Sequence, residues 1–207
     1  MLFNKEKHTY KLNGEEYKSV SSWIENFTNP FPKDLIAGKV AKRDGVDKDY
    51  VLGEWQAKGD LSRSYGNAIH KSIEYYIKYK EKPDHKHLKD VVDNFIDLSD
   101  FEDIESEIVV FSEEKKIAGT VDVLGKNEDG TFTIIDIKTN GNINKKSSNY
   151  MKSPFEKLKD TKMNRYKLQL SMYKKLAEEN GLDVSGLELW HWDGEEFKIK
   201  KIDSLLS

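Results

Sequence analysis

The 207-residue chain contains no cysteine. That excludes disulfides, zinc sites built on thiolates and cysteine-ligated iron–sulfur clusters, so any metal must be held by oxygen and histidine. No apolar run approaches membrane-spanning length, which argues against a membrane partner. The opening MLFNKEKHTYKL lacks the apolar core of a signal peptide, so a cytoplasmic protein is expected. Gly/Ser linkers and internal repeats are also missing, so residues 1–207 read as a single domain with 1–60 as an N-terminal extension. A net charge of −3 excludes a wholly basic, histone-like chain. It leaves polyanion binding open, because the charge is unevenly placed.

What is present is organised around Ile117–Thr139, IAGTVDVLGKNEDGTFTIIDIKT. Two apolar arms flank Asn127-Glu128-Asp129-Gly130, which has turn chemistry, so the stretch reads as a hairpin. Each arm carries one carboxylate among Ile and Val, Asp122 and Asp136. Strand alternation points Asp136 and Lys138 the same way. Pairing of the arms brings Asp122 toward Asp136, where repulsion and burial both disfavour ionisation. A divalent cation would relieve this, and a lysine alongside suits a developing anion. The plainer alternative is two strands with Asp on a wet face.

The spacing predicts a small hairpin at 8–20 around Asn13-Gly14. A helix capped by Ser21 follows, and Asn29-Pro30-Phe31-Pro32 ends it. Helical stretches are expected near 33–43 and 47–58, then a connection bracketed by Gly59 and Gly66. A helix from about Asn67 to residue 80 carries Ile69, Ile73, Tyr76 and Ile77 on one face. His70 and Glu74 are one turn apart on it, either a solvated pair or a ligand and an acid. Gly66-Asn67-Ala68 would let that turn approach another backbone. His85 and His87 are expected in solvent. A helix at 88–98 precedes a strand at 104–111, where Glu105 and Glu107 share a face, either solvated or functional.

Beyond the hairpin the charge changes. From Lys138 to Lys175 there are eleven basic residues, Lys145, Lys146 and Arg165 among them, and only Glu156 and Asp160 as acids. Tyr150, Phe155 and Tyr166 are interleaved. Such a run is either a solvated face or a track for a polyanion. Its 140–155 portion is polar and expected to be mobile until something binds. A helix over 160–180 ends at Gly181 and sets Gln169 one turn from Tyr173. Strands at 186–192 and 195–202, joined by Asp193-Gly194, close the chain.

Gly66-x-x-x-His70 on a helix, Asp122 on a strand, Asp136-Ile137-Lys138 on the next and Gln169-x-x-x-Tyr173 on the following helix occur in one order. That order resembles the PD-(D/E)XK nuclease superfamily, in its RecB-like exonuclease branch. The Asn-Gly hairpin and the Pro-Phe segment are similar to small phage-encoded members. The resemblance implies an α/β restriction-endonuclease-like core over 61–207: a mixed central β-sheet flanked by helices, preceded by an N-terminal hairpin and helical segment. It implies a metal-dependent DNA exonuclease using Mg2+ or Mn2+, in the host cytoplasm if phage-encoded. The alternatives are a binding module without catalysis and a structure-specific endonuclease. The implied metal ligands are His70, Asp122, Asp136 and the Ile137 carbonyl, with Lys138 orienting the attacking water. Glu74 and Glu107 are possible additional acids, and Gln169 and Tyr173 would meet the DNA backbone. Val121 stands where the superfamily name has Pro.

Overall fold

In the computed structural model, which describes residues 2–4, 9–141 and 143–206, eight strands form one mixed sheet with helices on both faces. Asn13 and Gly14 both take left-handed φ, which closes a tight hairpin between β2 (Thr9–Leu12) and β3 (Glu15–Ser19). His8, the expected start of that hairpin, and Asn142 lie outside the described residues. A strand that the sequence pattern did not show, β1 (Leu2–Asn4), adds to β2. The helix α1 (Val20–Glu25) is capped by Ser19, not Ser21: the Ser19 hydroxyl accepts the Ser22 N–H at 3.0 Å.

The helix α2 (Lys33–Asp44) ends at left-handed Gly45 and turns back on α3 (Lys48–Tyr79). The expected break between Gly59 and Gly66 does not occur, and α3 is a single helix of 32 residues. An interior glycine costs about 1 kcal/mol relative to alanine, too little to break a helix held at both ends. One end packs on α2 through Ala37, Ala41 and Val51, and the other enters the main core through Ile69, Ile73 and Ile77. Gly66 has a steric reason to stay small, because a Cβ there would lie 2.9 Å from the Thr139 hydroxyl. The helix α4 (Lys86–Leu98) packs beside α3. His87 is not free in solvent. It stacks on Tyr65, whose hydroxyl meets His87 Nε2 at 2.8 Å and accepts from Trp192 Nε1 at 3.0 Å.

The centre of the sheet is β5 (Ile117–Lys126). One edge of β5 is covered along its length by β4 (Asp103–Ser112). The other edge is shared. Its first residues, Ile117 and Ala118, pair in parallel with β3, and Val123–Lys126 pair antiparallel with β6 (Phe132–Lys138). Between them the edge from 119 to 122 is left open, so the sheet forks. β6 continues past the fork on β7 (Val184–Trp192), which pairs with β8 (Phe197–Lys201). The helix α5 (Lys162–Glu179) covers one face with Leu168, Leu170, Met172 and Leu176. α3 and α4 cover the other with Ile69, Ile73, Val92 and Phe95. Among the described residues no helix is long and apolar enough to cross a membrane.

The segment between β6 and α5 is anchored at several of its described residues. Ile143 and Met151 are buried, Phe155 completes an edge-to-face trio with Trp23 and Phe27, and the Lys152 N–H donates to the Phe27 carbonyl at 2.8 Å. Asp160 is the main anchor. Its side chain is 4% exposed and accepts from the Asn29 backbone at 2.8 Å, the Asn29 amide at 3.1 Å and Arg165 Nε at 2.7 Å. Burial raises the Asp160 pKa, but these donors outweigh it and hold the carboxyl below its ordinary value. Asp160 therefore binds fewer protons folded than unfolded, and its contribution is present above the carboxylate range and lost on acidification. Asp160→Ala is expected to cost about 1–3 kcal/mol at neutral pH, the scale for stranding buried donors. The gap from the parent should narrow as pH falls. Denaturant unfolding at pH 7 and pH 3.5 checks this, and a gap that widens in acid would rule it out.

Candidate active site

The fork gathers residues from both faces of the sheet. His70 comes from α3, Asp122 from β5, Asp136, Ile137 and Lys138 from β6, and Gln169 and Tyr173 from α5. All but Asp136 line one cleft of about 690 Å³, together with Glu74, Glu107 and Asn140. Asp136 lies just beneath the cleft, 1% exposed, under the Lys138 side chain.

The open edge of β5 explains the geometry. The β5–β6 ladder stops at Val123–Ile135, and the next stretch of β6 backbone must find other acceptors. Asp122 supplies one: its Oδ2 accepts the Ile137 N–H at 2.9 Å. Its Oδ1 faces His70 Nδ1 at 3.6 Å. Burial lowers the His70 pKa, but neighbouring Asp122 outweighs it and leaves the imidazole above its ordinary value. Burial raises Asp122, and His70, Lys138 and the Ile137 N–H more than offset this, so its carboxyl titrates low.

Lys138 behaves as the alternation of β6 predicts. Its Nζ donates to Asp136 Oδ1 at 2.8 Å and lies equally near Oδ2. The second contact lacks hydrogen-bond geometry, so Oδ2 remains a buried acceptor without a hydrogen-bond donor. Burial pushes the Asp136 carboxyl up to about 6, and Lys138 only partly opposes it. Burial also disfavours the charged lysine, yet Asp136 and Asp122 hold its pKa above the ordinary value. The ammonium thus pairs with Asp136 and leaves one of its oxygens without a hydrogen-bond donor, while its charge also favours ionised Asp122. Among the described residues no three His, Asp or Glu side chains are drawn together as a ready metal-binding group.

Two further features of the site were not visible in the residue pattern. Gly119, on the open edge, must be glycine, because a Cβ there would come within 2.4 Å of the Tyr173 ring. Tyr166 supports Lys138, its ring centre 5.0 Å from Nζ, and its hydroxyl accepts from Asn140, whose carbonyl is bonded by His191 Nε2 at 2.8 Å. Only the Gly-x-x-Asp spacing from Gly119 to Asp122 could have pointed to the first. The second joins residues far apart in sequence.

The other candidates divide. Glu107 stands opposite Asp122, between the Ser106–Val123 and Ile108–Val121 pairs, with a left-handed φ of 57°. That conformation costs a residue with a side chain about 1–2 kcal/mol, and strain of this kind collects at functional positions. Glu74 lies one turn beyond His70 on the cleft wall. Gln169 Nε2 donates to the Tyr173 hydroxyl at 2.9 Å, and Tyr173 is buried with only an edge toward the cleft. Lys145 and Lys146 are exposed on the segment after β6 and are not among the residues that line the cleft. Arg165 is engaged by Asp160, so its charge is partly spent on holding that segment.

No family profile and no curated protein matches the chain. Among solved structures, SSO0001 is similar over 98% of this chain and 74% of its own, at 17% identity and a TM-score of 0.48. A protein from Eubacterium rectale whose name proposes an exonuclease is similar over 98% of this chain and 79% of its own, at 12% identity and a TM-score of 0.44. Both likenesses are loose, and the functional reading is built on the site itself.

Proposed function

We propose that the chain is a metal-dependent deoxyribonuclease of the PD-(D/E)XK type, in the RecB-like branch, acting on DNA as an exonuclease in the cytoplasm. The observation that carries this reading is the convergence of Asp122, Asp136, Lys138 and His70 at the fork, where the Lys138 ammonium pairs with the buried Asp136 and Asp122 faces His70. A fold has no structural need for that cost, and perturbed, incompletely paired groups in a cleft mark functional sites.

The donor types suit a hard divalent cation, although the three side chains are not drawn together around one point in this structure. Asp136 Oδ2 is ion-paired with Lys138 but accepts no hydrogen bond, and the other ligating atoms are carboxylate and carbonyl oxygens with one imidazole. His70, Asp122, Asp136 and the Ile137 carbonyl would hold Mg2+ or Mn2+. When bound, such an ion polarises a phosphate oxygen and lowers the pKa of a coordinated water. The protein's own contribution is placement. Asp122 ties the β6 backbone at Ile137, which fixes Asp136 and Lys138 on their side of the cleft. The Lys138 ammonium, steadied over Tyr166, can meet the attacking water or the non-bridging oxygens as charge develops. Gln169 and Tyr173, bonded to each other, offer polar groups to the DNA backbone. Glu74 and Glu107 are further carboxylates on the cleft wall.

The test is degradation of linear against covalently closed circular DNA, with Mg2+, with Mn2+ and in excess chelator. Loss of the linear form alone, only with metal, is expected. Cutting of the circle would replace exonuclease with endonuclease, and full activity in chelator would end the metal mechanism. DNA binding with no cleavage in either metal would leave a binding module.

A further inference from the structure

The segment between β6 and α5 carries charge that its surroundings do not neutralise. Some lysines elsewhere sit against carboxylates, such as Lys48 on Asp34 at 2.8 Å, Lys126 on Glu102 at 2.7 Å and Lys116 on Glu15 at 2.5 Å. Among the described residues, Lys145, Lys146 and Lys152 have no such partner. The segment is nonetheless built. Tyr150 and Lys159 form an antiparallel bridge, with the Met151 N–H on the Leu158 carbonyl at 2.9 Å and the Asp160 N–H on the Asn149 carbonyl at 2.9 Å. The Asn29 amide fixes the Tyr150 carbonyl at 2.8 Å.

Alternation along this short ladder buries Met151 and turns Tyr150 outward, 52% exposed. Lys159 Nζ lies 3.6 Å from the centre of the Tyr150 ring. An outward ring touching an ammonium, on a segment that carries further unpaired lysines, offers partners for the two parts of a nucleotide, base and phosphate. In sequence the ladder lies between two residues that line the cleft, Asn140 and Gln169.

We propose that this ladder is a single-strand-binding platform, on which Tyr150 stacks a base while Lys145, Lys146, Lys152 and Lys159 hold the adjoining phosphates. A single strand presents free base faces to such a ring. A duplex presents phosphates, with its base faces already stacked. The choice of nucleic acid rests on the nuclease reading above, but the test does not, because binding is measured without turnover.

The experiment is equilibrium binding in chelator of a labelled DNA single strand, a blunt duplex of the same length and heparin, a polyanion without bases. Tyr150→Ala should weaken single-strand binding about tenfold, the scale for one lost stacking contact. Duplex and heparin binding should hold, and Tyr150→Phe should keep the parent's affinity. Lys145→Ala with Lys146→Ala should weaken all three ligands and flatten their salt dependence. Unchanged single-strand affinity in Tyr150→Ala, or an equal loss for all three ligands, overturns the platform. If Tyr150→Ala does fail in this way while the parent cleaves, the nuclease reading stands alone. Selective loss in a parent that never cleaves supports the platform and removes the nuclease.

Discussion

Lys138→Ala should slow single-turnover cleavage on the order of a hundredfold or more while leaving metal and DNA affinity nearly intact. The rate estimate is the scale for losing one positioned transition-state donor. The affinities should survive because Lys138 supplies no metal ligand and one cation among many near the cleft. Stability should respond in a way that reports the site's electrostatics. Without metal, Lys138→Ala removes the ammonium that pairs with Asp136 and strands a buried carboxylate, so the melting temperature should drop. Mg2+ or Mn2+ should restore most of that drop, because the added charge takes over from the ammonium. Lys138→Arg should rescue stability better than rate, since a planar fork cannot occupy the place of a compact ammonium over Tyr166. Cleavage at the parent's rate in Lys138→Ala would place the chemistry elsewhere.

Features encoded locally were legible in the sequence. Alternation over Ile117–Lys138 set the hairpin and put Asp136 and Lys138 on one side, and both pairings are present. Asn13-Gly14, Asp193-Gly194 and the apolar stripe of α5 likewise act within a few residues. What escaped depends on distant partners. The fork arises because β3 takes the first two residues of β5 and β6 the last four, and no local signal gives that division of an edge. Asp160 reads as a stray acid in a basic run until Asn29, 131 residues earlier in the chain, lies against it. The glycines in α3 read as a break because their helix cost is local, while the packing that overrules it on α2 and on the sheet is not. The 140–155 segment reads as mobile from its polarity, since the burial of Ile143 and Met151 is set by the neighbours they meet. The meeting of His70 with Asp122 came from the order of motifs and not from either residue's surroundings.

Asp122→Asn is the substitution with the largest expected loss. Asparagine matches the shape and can still accept the Ile137 N–H, so the fork should keep its geometry and the metal-free protein should fold. What disappears is the charge facing His70 and the charge that repels Asp136. Removing that repulsion should leave metal-free stability within about 1 kcal/mol of the parent, since the lost His70 contact and the relieved crowding oppose each other. Function should not be spared. Losing one member of an interdependent constellation costs at least about a thousandfold in rate. The parent should gain stability with metal by mass action, about 2.7 kcal/mol at a hundred times the dissociation constant. Asp122→Asn should lose most of that gain, read as the shift in melting temperature across a Mn2+ titration. The two readouts together separate ligand from scaffold: a full metal-induced shift with dead chemistry would make Asp122 an organiser of β6 alone. A parent-like rate would remove Asp122 from the site altogether.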